Sequence, residues 1–327
     1  MSLETSLNFE SVLSKLPIDR VGHSVFDESW WLDAVAPNSW DAVAIESNGV
    51  VQARLPFVLS KSYGLRKIQQ PTLTQTLGPW YRSTGGKLCT ALAREKELAT
   101  ELISKLPEHD FFSMNFHHSI QNWLPFFWKG FSAVPRITYV LNDLTDLKLI
   151  WDGFQENIRR EIRKAEKKVE VVVSDDIEQF LELNRMTFER QSIPYPDHRS
   201  TAIRINDACA KRDSRKIYLA KDETGQFHAG LFVVYDERCA YYLMGGGNPE
   251  LRSSGATSLL MWRAIQDAAK SSKVFDFEGS MGESIERFFR AFGARQAPYL
   301  NVRRHSRVAG SLEGIRLVLR SLRSSKK

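Results

Sequence analysis

The sequence has little cysteine, no long apolar run and no metal-ligand spacing, and each shortage excludes a class of protein. Its three cysteines, Cys89, Cys209 and Cys239, are odd in number, far apart and without CxxC spacing. That argues against a disulfide framework or a zinc site and for reduced thiols. No stretch approaches the roughly 18 uninterrupted apolar residues of a spanning helix. Met1 to Glu10 carries acids and no basic patch ahead of an apolar run, so neither a secretory signal nor a transit peptide is expected, and the expected location is cytoplasmic. The seven histidines do not recur at ligand spacing. His117 and His118 stand side by side on a predicted strand and should face opposite ways, so no metal is expected. A GxSxG elbow and a Walker loop are also missing.

The rest is ordinary material for a packed chain. Of 327 residues, 43% are hydrophobic and 26% charged, and the eight Trp and nineteen Phe can supply two aromatic cores. The formal charge of +6 favours anionic partners such as cofactor phosphates, nucleic acid or an acidic membrane surface. Part of the excess sits in the tail. There Leu312, Ile315, Leu319 and Leu322 share one helical face with Arg316, Arg320 and Arg323 around it. Such a helix suits peripheral contact with an anionic membrane, or docking on the protein's own core.

The middle of the chain repeats itself. Strand-like runs surround Ser47-Asn48-Gly49 within residues 41–59, and again Glu223-Thr224-Gly225 within 217–235, two hairpin signals. Each is followed by a helical pattern, an aromatic strand (110–117; VFDFEGS), a short aromatic helix (WLPFFWKGF; IERFFRAFG) and a last strand (RITYVL; PYLNVR). Phe112 and Phe275, Met114 and Phe277, Phe126 and Phe288, and Pro135 and Pro298 pair at a sequence offset that is constant to within a single position. The expected fold is α/β, an α+β mixed sheet duplicated in tandem, each copy a hairpin followed by a βαβ crossover. Between the copies, Trp151, Phe154, Ile158, Ile162 and Ala165 recur at helical spacing beside Arg159, Arg160, Arg163 and Lys164, an amphipathic basic helix. Asp175 with Glu178 is expected to cap a further helix over about 176–190.

The strand CAYYLMGGGN enters a loop that opens into a helix at Ala256. Unsatisfied backbone N–H groups and the helix dipole favour a phosphate there. Arg252 adds a charge, and Ser253, Ser254 and Gly255 lack bulk; the structural alternative is a tight turn that binds nothing. This passage resembles the GNAT superfamily of acyl-CoA transferases, whose pyrophosphate loop reads Arg/Gln-x-x-Gly-x-Gly/Ala. Arg252 and Gly255 match the first two positions, and Thr257 replaces the last small residue. The NxRRxIRKA helix (Asn157 to Ala165), the RQ-x-x-P segment (Arg190, Gln191, Pro194), the YYLxGG strand and FDFEGS before FFRxFGA resemble its FemAB-like branch over roughly residues 25–305. The resemblance implies a degenerate GNAT-like domain at 1–145, an acyltransferase domain at 146–305 and a basic tail at 306–327. It further implies transfer of an acyl or aminoacyl group from acyl-CoA (acetyl-CoA) or aminoacyl-tRNA to an amine, often on an envelope or polysaccharide precursor.

Arg252, Ser253, Ser254, Gly255, Ala256 and Thr257 are then the expected donor-phosphate loop. Asp276 and Glu278 alternate with Phe275 and Phe277, so both carboxylates should face one side of their strand. Glu278, nearer the strand's C-terminal end, is the expected base for the amine proton, with Asp276 as second candidate; the alternative is an ion pair with Arg287 or Arg290. The tyrosine that many GNAT enzymes use as general acid is replaced by Phe289. Tyr241 and Tyr242 face opposite ways, and Tyr242, Arg190, Gln191 and Gln75 are expected to meet the acceptor. Trp80 is a further candidate beside Gln75. The alternatives are a basic RNA-binding, aminoacyl-tRNA-dependent transferase and an inactive scaffold in envelope biosynthesis.

Overall fold

The computed structural model describes residues 20–83, 85–279 and 281–306. The amphipathic tail with Leu312 to Arg323 lies outside them. In chain order the first half forms β1 (Arg20–Val21), α1 (Ser29–Val35), β2 (Trp40–Ser47), β3 (Val50–Ser62), β4 (Leu65–Gln69), β5 (Trp80–Arg82), α2 (Leu88–Lys105), β6 (Phe111–Asn115), α3 (Leu124–Trp128) and β7 (Ser132–Leu141). Helices α4 (Leu147–Gly153) and α5 (Glu156–Ala165) lead to β8 (Glu170–Ser174), α6 (Ile177–Arg190), α7 (Arg199–Ala210), β9 (Arg215–Lys221), β10 (Phe227–Tyr235) and β11 (Cys239–Gly247). Then follow α8 (Ala256–Ala268), β12 (Val274–Asp276), α9 (Glu283–Arg290) and β13 (Arg295–His305).

Both expected hairpins form. At Asn48 (φ 52°) and Gly49 (φ 73°) two successive left-handed residues close a two-residue turn, the twist that suits paired strands. The strands of the described residues join in one mixed sheet, ordered β1-β5-β3-β4-β6-β13-β7-β12-β11-β10-β9-β8, with β2 also on β3. Near the middle the halves exchange strands: β13 lies between β6 and β7, and β7 lies between β13 and β12.

The register carries the duplication residue by residue. Phe112 pairs with Arg304 and Phe275 with Leu141. The same shift along the chain that takes Phe112 to Phe275 takes Leu141 to Arg304, so it converts one pair into the other. It also takes Arg136 to Tyr299, and these two residues pair with each other, so a local twofold axis passes between them. Phe112, Met114 and Phe126 pack with Leu98 and Leu102 of α2 in one core, and Phe275 and Phe277 pack with Ile158, Ile162, Leu260 and Ile265 in a second.

Three local expectations differ from the structure. The linking helix is broken at Phe154, whose extended backbone (ψ 144°) separates α4 from α5 while its ring stays in the core. Helix α6 is capped by Asp176, whose carboxylate accepts the Gln179 N–H at 3.0 Å, because Asp175 is committed to Arg215 at 2.6 Å. His117 and His118 do not point apart. Strand β6 ends at Asn115, and the two rings stack with centroids 4.2 Å apart.

Because β13 fills the gap between β6 and β7, neither half closes its own sheet. Residues 1–145 and 146–327 expressed separately should each lack cooperative unfolding by circular dichroism, and co-expression should restore it as a complex. A cooperative transition in either fragment alone would contradict this.

Candidate active site

Strands β11 and β12 pair only from Cys239 to Tyr241, while β11 runs on against β10 as far as Gly247. The wedge so opened is the C-terminal end of a parallel strand pair, where open α/β sheets place ligands. A register shift between Phe232 and Val233 leaves Leu243 unmatched in β11, a bulge that re-aims the neighbouring side chains. Tyr241 turns into the core, its ring 4.9 Å from Phe26 and its hydroxyl on Asp236 at 3.2 Å. Tyr242 turns the other way, into the wedge.

The carboxylates converge there by a route that alternation does not describe. Asp276 is the last residue of β12 and buried; its Oδ1 accepts the Thr138 hydroxyl at 2.5 Å and the Glu278 N–H at 2.7 Å. The chain then leaves the strand, and Glu278 sits in the left-handed region at φ 57°, a conformation a non-glycine residue adopts at some cost. Gly279 follows at φ 59°, against the carbonyl of Ile137. Glu278 Oε1 is buried without a hydrogen-bond partner. The expected alternative partners are engaged elsewhere, Arg287 with Glu283 and Arg290 with Glu286.

Burial raises the Glu278 pKa well above the usual carboxylate range, and the charge of Asp276 raises it further. Burial likewise lifts Asp276 to about 6, against the lowering effect of the Thr138 and Glu278 donors. Tyr242 is held protonated by burial and by Glu278. Its hydroxyl lies over Gly245, where any side-chain carbon would collide with it, and its ring meets Phe289 edge-on with centroids 5.7 Å apart. The ring of a β11 tyrosine thus stands against Phe289, with its hydroxyl over Gly245.

Gln75 arrives from the first half. Its side-chain amide donates to the Glu278 carbonyl and lies 3.5 Å from the Tyr299 hydroxyl, so the loop after β4 reaches Glu278. Trp80 is buried below Arg20 instead.

The glycines of the wedge serve packing more than ligand approach. A side chain at Gly246 would strike the backbone of Leu183 and Asn184 in α6. Asn184 donates to the Gly245 carbonyl at 2.7 Å, and the Thr187 hydroxyl accepts the Gly247 N–H at 3.0 Å. Gly255, the N-cap of α8 at φ 83°, leaves no room for a side chain against the Glu161 carbonyl, and Ser254 is buried with its hydroxyl accepting the Ala256 N–H. Of the loop, Arg252, Ser253 and Thr257 are exposed, while Ala256 is buried. Arg190, at the end of α6, lies close enough to Arg252 for the second charge to lower its pKa, after burial; Gln191 beside it is exposed. Two exposed arginines are therefore neighbours at the loop before α8. Sequence reasoning missed Thr138, Asn184, Thr187, Tyr299 and Glu161; of these, Tyr299 and Thr138 carried a signal, as the repeat equivalents of Arg136 and Asn301.

Residues 153–290 match the family described as acetyltransferase (GNAT) domain. No curated protein matches the chain in sequence. Among solved structures, the chain is similar to FemX at a TM-score of 0.66 with 15% identity, over 92% of this chain and 96% of that one. It is also similar to a tandem GNAT protein from the clavulanic acid biosynthesis pathway (0.50; 11%; 84% and 86%). A third is the C-terminal domain of a putative lysylphosphatidylglycerol synthetase from Agrobacterium fabrum (0.51; 12%; 84% and 87%). These likenesses are ones of fold. Residues 153–290 thus match a GNAT-type acetyltransferase domain, which supports acyl or aminoacyl transfer as the general class of activity. The chain's fold is a tandem architecture like that of FemX, a duplicated α/β unit in which residues 153–290 form the matched domain. Among the described residues no helix is long and apolar enough to cross a membrane, and no group of three or more potential metal ligands comes together.

The raised acids give a pH signature. A carboxyl whose folded pKa is raised contributes stability that is complete below its unfolded pKa and lost as pH climbs through the folded one. For Asp276 that window runs from 3.8 to about 6. Asp276→Asn keeps an oxygen acceptor and removes the titration. Its melting temperature relative to wild type should therefore rise between pH 4 and 7, by an amount equivalent to on the order of 2 kcal/mol. A difference that does not change with pH would show the carboxyl to be unperturbed.

Proposed function

We propose that the protein transfers an acyl group from acyl-CoA to an amine held between Gln75 and Glu278. The acceptor would be a small amino compound or an amine of an envelope or polysaccharide precursor, as the family resemblance implies. The observation that carries this reading is the unpartnered Glu278 carboxyl beside Asp276 and Tyr242 in the wedge between β11 and β12. In the proposed step the amine nitrogen attacks the acyl carbon and forms the C–N bond, and its proton passes to the Glu278 carboxylate. The C–S bond breaks, and the departing thiolate takes the Tyr242 proton. Arg252, Arg190, Ser253 and the start of α8 would hold the donor phosphates. Gln191, exposed beside Arg190, would border the acceptor.

One feature favours a second reading. Glu161 stands against Gly255 at the donor loop, an unfavourable neighbour for a diphosphate, and Arg160, Lys167 and Lys168 are exposed on or just beyond α5. An aminoacyl-tRNA donor, gripped along α5, would suit that surface. Calorimetric titration with coenzyme A and acetyl-CoA decides between them. The first reading expects micromolar binding lost in Arg252→Glu. No binding to wild type, with RNA affinity that falls steeply as salt rises, would establish the second.

Glu278→Gln should cost at least ~100-fold in turnover, the scale of general-base catalysis. The acidic limb of kcat/KM should follow the raised Glu278 pKa. Asp276→Asn removes the charge that helps raise it, so that limb should move to lower pH. A limb that stays in place would remove Glu278 from the base role.

A further inference from the structure

The twofold relation that builds the sheet also creates a second copy of the wedge's polar face. The shift that takes Phe112 to Phe275 takes Ser113 to Asp276, Asn115 to Glu278 and Thr138 to Asn301. The Thr138–Asp276 contact survives as Asn301 Nδ2 at 3.5 Å from the Ser113 hydroxyl and 2.8 Å from Asn115 Oδ1. Around these residues is a pocket of about 360 Å³, lined also by Gln70, Arg136 and Arg303, a volume in the range of small-ligand sites.

The duplicated site has changed sign. Both carboxylates have become neutral, and Arg303 stands where the other copy has Val140. No acid lines the pocket, and among the described residues neither Arg136 nor Arg303 has a carboxylate within ion-pair distance. Arg136 Nε is buried with no hydrogen-bond partner, and Arg303 is braced by Asn301 Oδ1. Two half-buried guanidinium groups without a counter-charge are costly unless an anion completes them. The pocket is tied to the active site by hydrogen bonds. Asn115 Nδ2 and Gln70 Nε2 donate to the Gln75 carbonyl at 3.0 and 3.2 Å, and the Gln75 side chain in turn holds Glu278.

We propose that this pocket binds an anionic group, phosphate or carboxylate, of the amine acceptor and so presents the amine to Glu278. The inference rests on transfer to an amine at Glu278. Anion binding can be tested without turnover, so the two fail separately. Calorimetry at low salt would titrate the full-length Arg252→Glu protein, in which the donor loop carries an acid, with inorganic phosphate and with acetate. Saturable binding of at least one anion is expected, the tighter of the two telling whether the acceptor carries phosphate or carboxylate. Adding Arg303→Gln, or the near-isosteric Asn301→Asp, should weaken it at least ~10-fold, the scale of one charge-assisted contact. No saturable binding of either anion, or binding indifferent to both substitutions, overturns the proposal. A protein that binds the anion in the pocket yet acylates no amine would sink the transfer reading and leave the pocket standing.

Discussion

The antiparallel pairing of β7 with β13 is the constraint on which the rest of this molecule depends. It seats each half's last strand inside the other half's sheet, and it fixes the distance between the two copies of the polar face. The wedge between β11 and β12 exists because β12 stops after three residues, with β7 on its far side. Thr138 reaches Asp276 only because β7 has crossed over. Gln75 reaches Glu278, and Tyr299 lies beside it, by the same exchange. The candidate site is therefore a property of the pair of halves, since its hydrogen bonds draw on residues from both.

Electrostatics then separates two faces that share an ancestry. On one side of the twofold axis burial raises the pKa of both carboxyls, and the charge of Asp276 raises that of Glu278 further. On the other, amides and a hydroxyl replace them and arginines gather. The desolvation that raises the Glu278 pKa also destabilises the fold, and its left-handed backbone adds to that strain. Such a concentration of unfavourable features in one short segment, Asp276 to Gly279, is what a functional site looks like beside a core that otherwise follows local propensity.

The fold was legible in the sequence because duplication leaves a pattern that no single motif does. The constant offset between the copies, read from aromatic and proline positions, reappears as strand register. The hairpins at Asn48-Gly49 and Gly225 were equally plain, since turn chemistry is local. What could not be read is non-local. Strand exchange leaves no periodicity. Nor does a run of glycines after Tyr242 reveal what fills the space beside it, which is α6 and the Tyr242 hydroxyl. The alternation of Asp276 and Glu278 suggested a continuous strand, yet β12 ends between them. They meet through a hydrogen bond and a reversed backbone angle. The stacking of His117 on His118 escaped the sequence for the same reason, a strand that ends ahead of them.

The exchange also has a temporal meaning. A ribosome releases β6 and β7 long before it makes β13, at roughly 5–20 residues per second a wait on the order of ten to thirty seconds. Throughout it two strands expose open edges that only the last segment of the sheet can close. Successful folding of this chain is thus a race between completion of synthesis and the wrong partner at those edges.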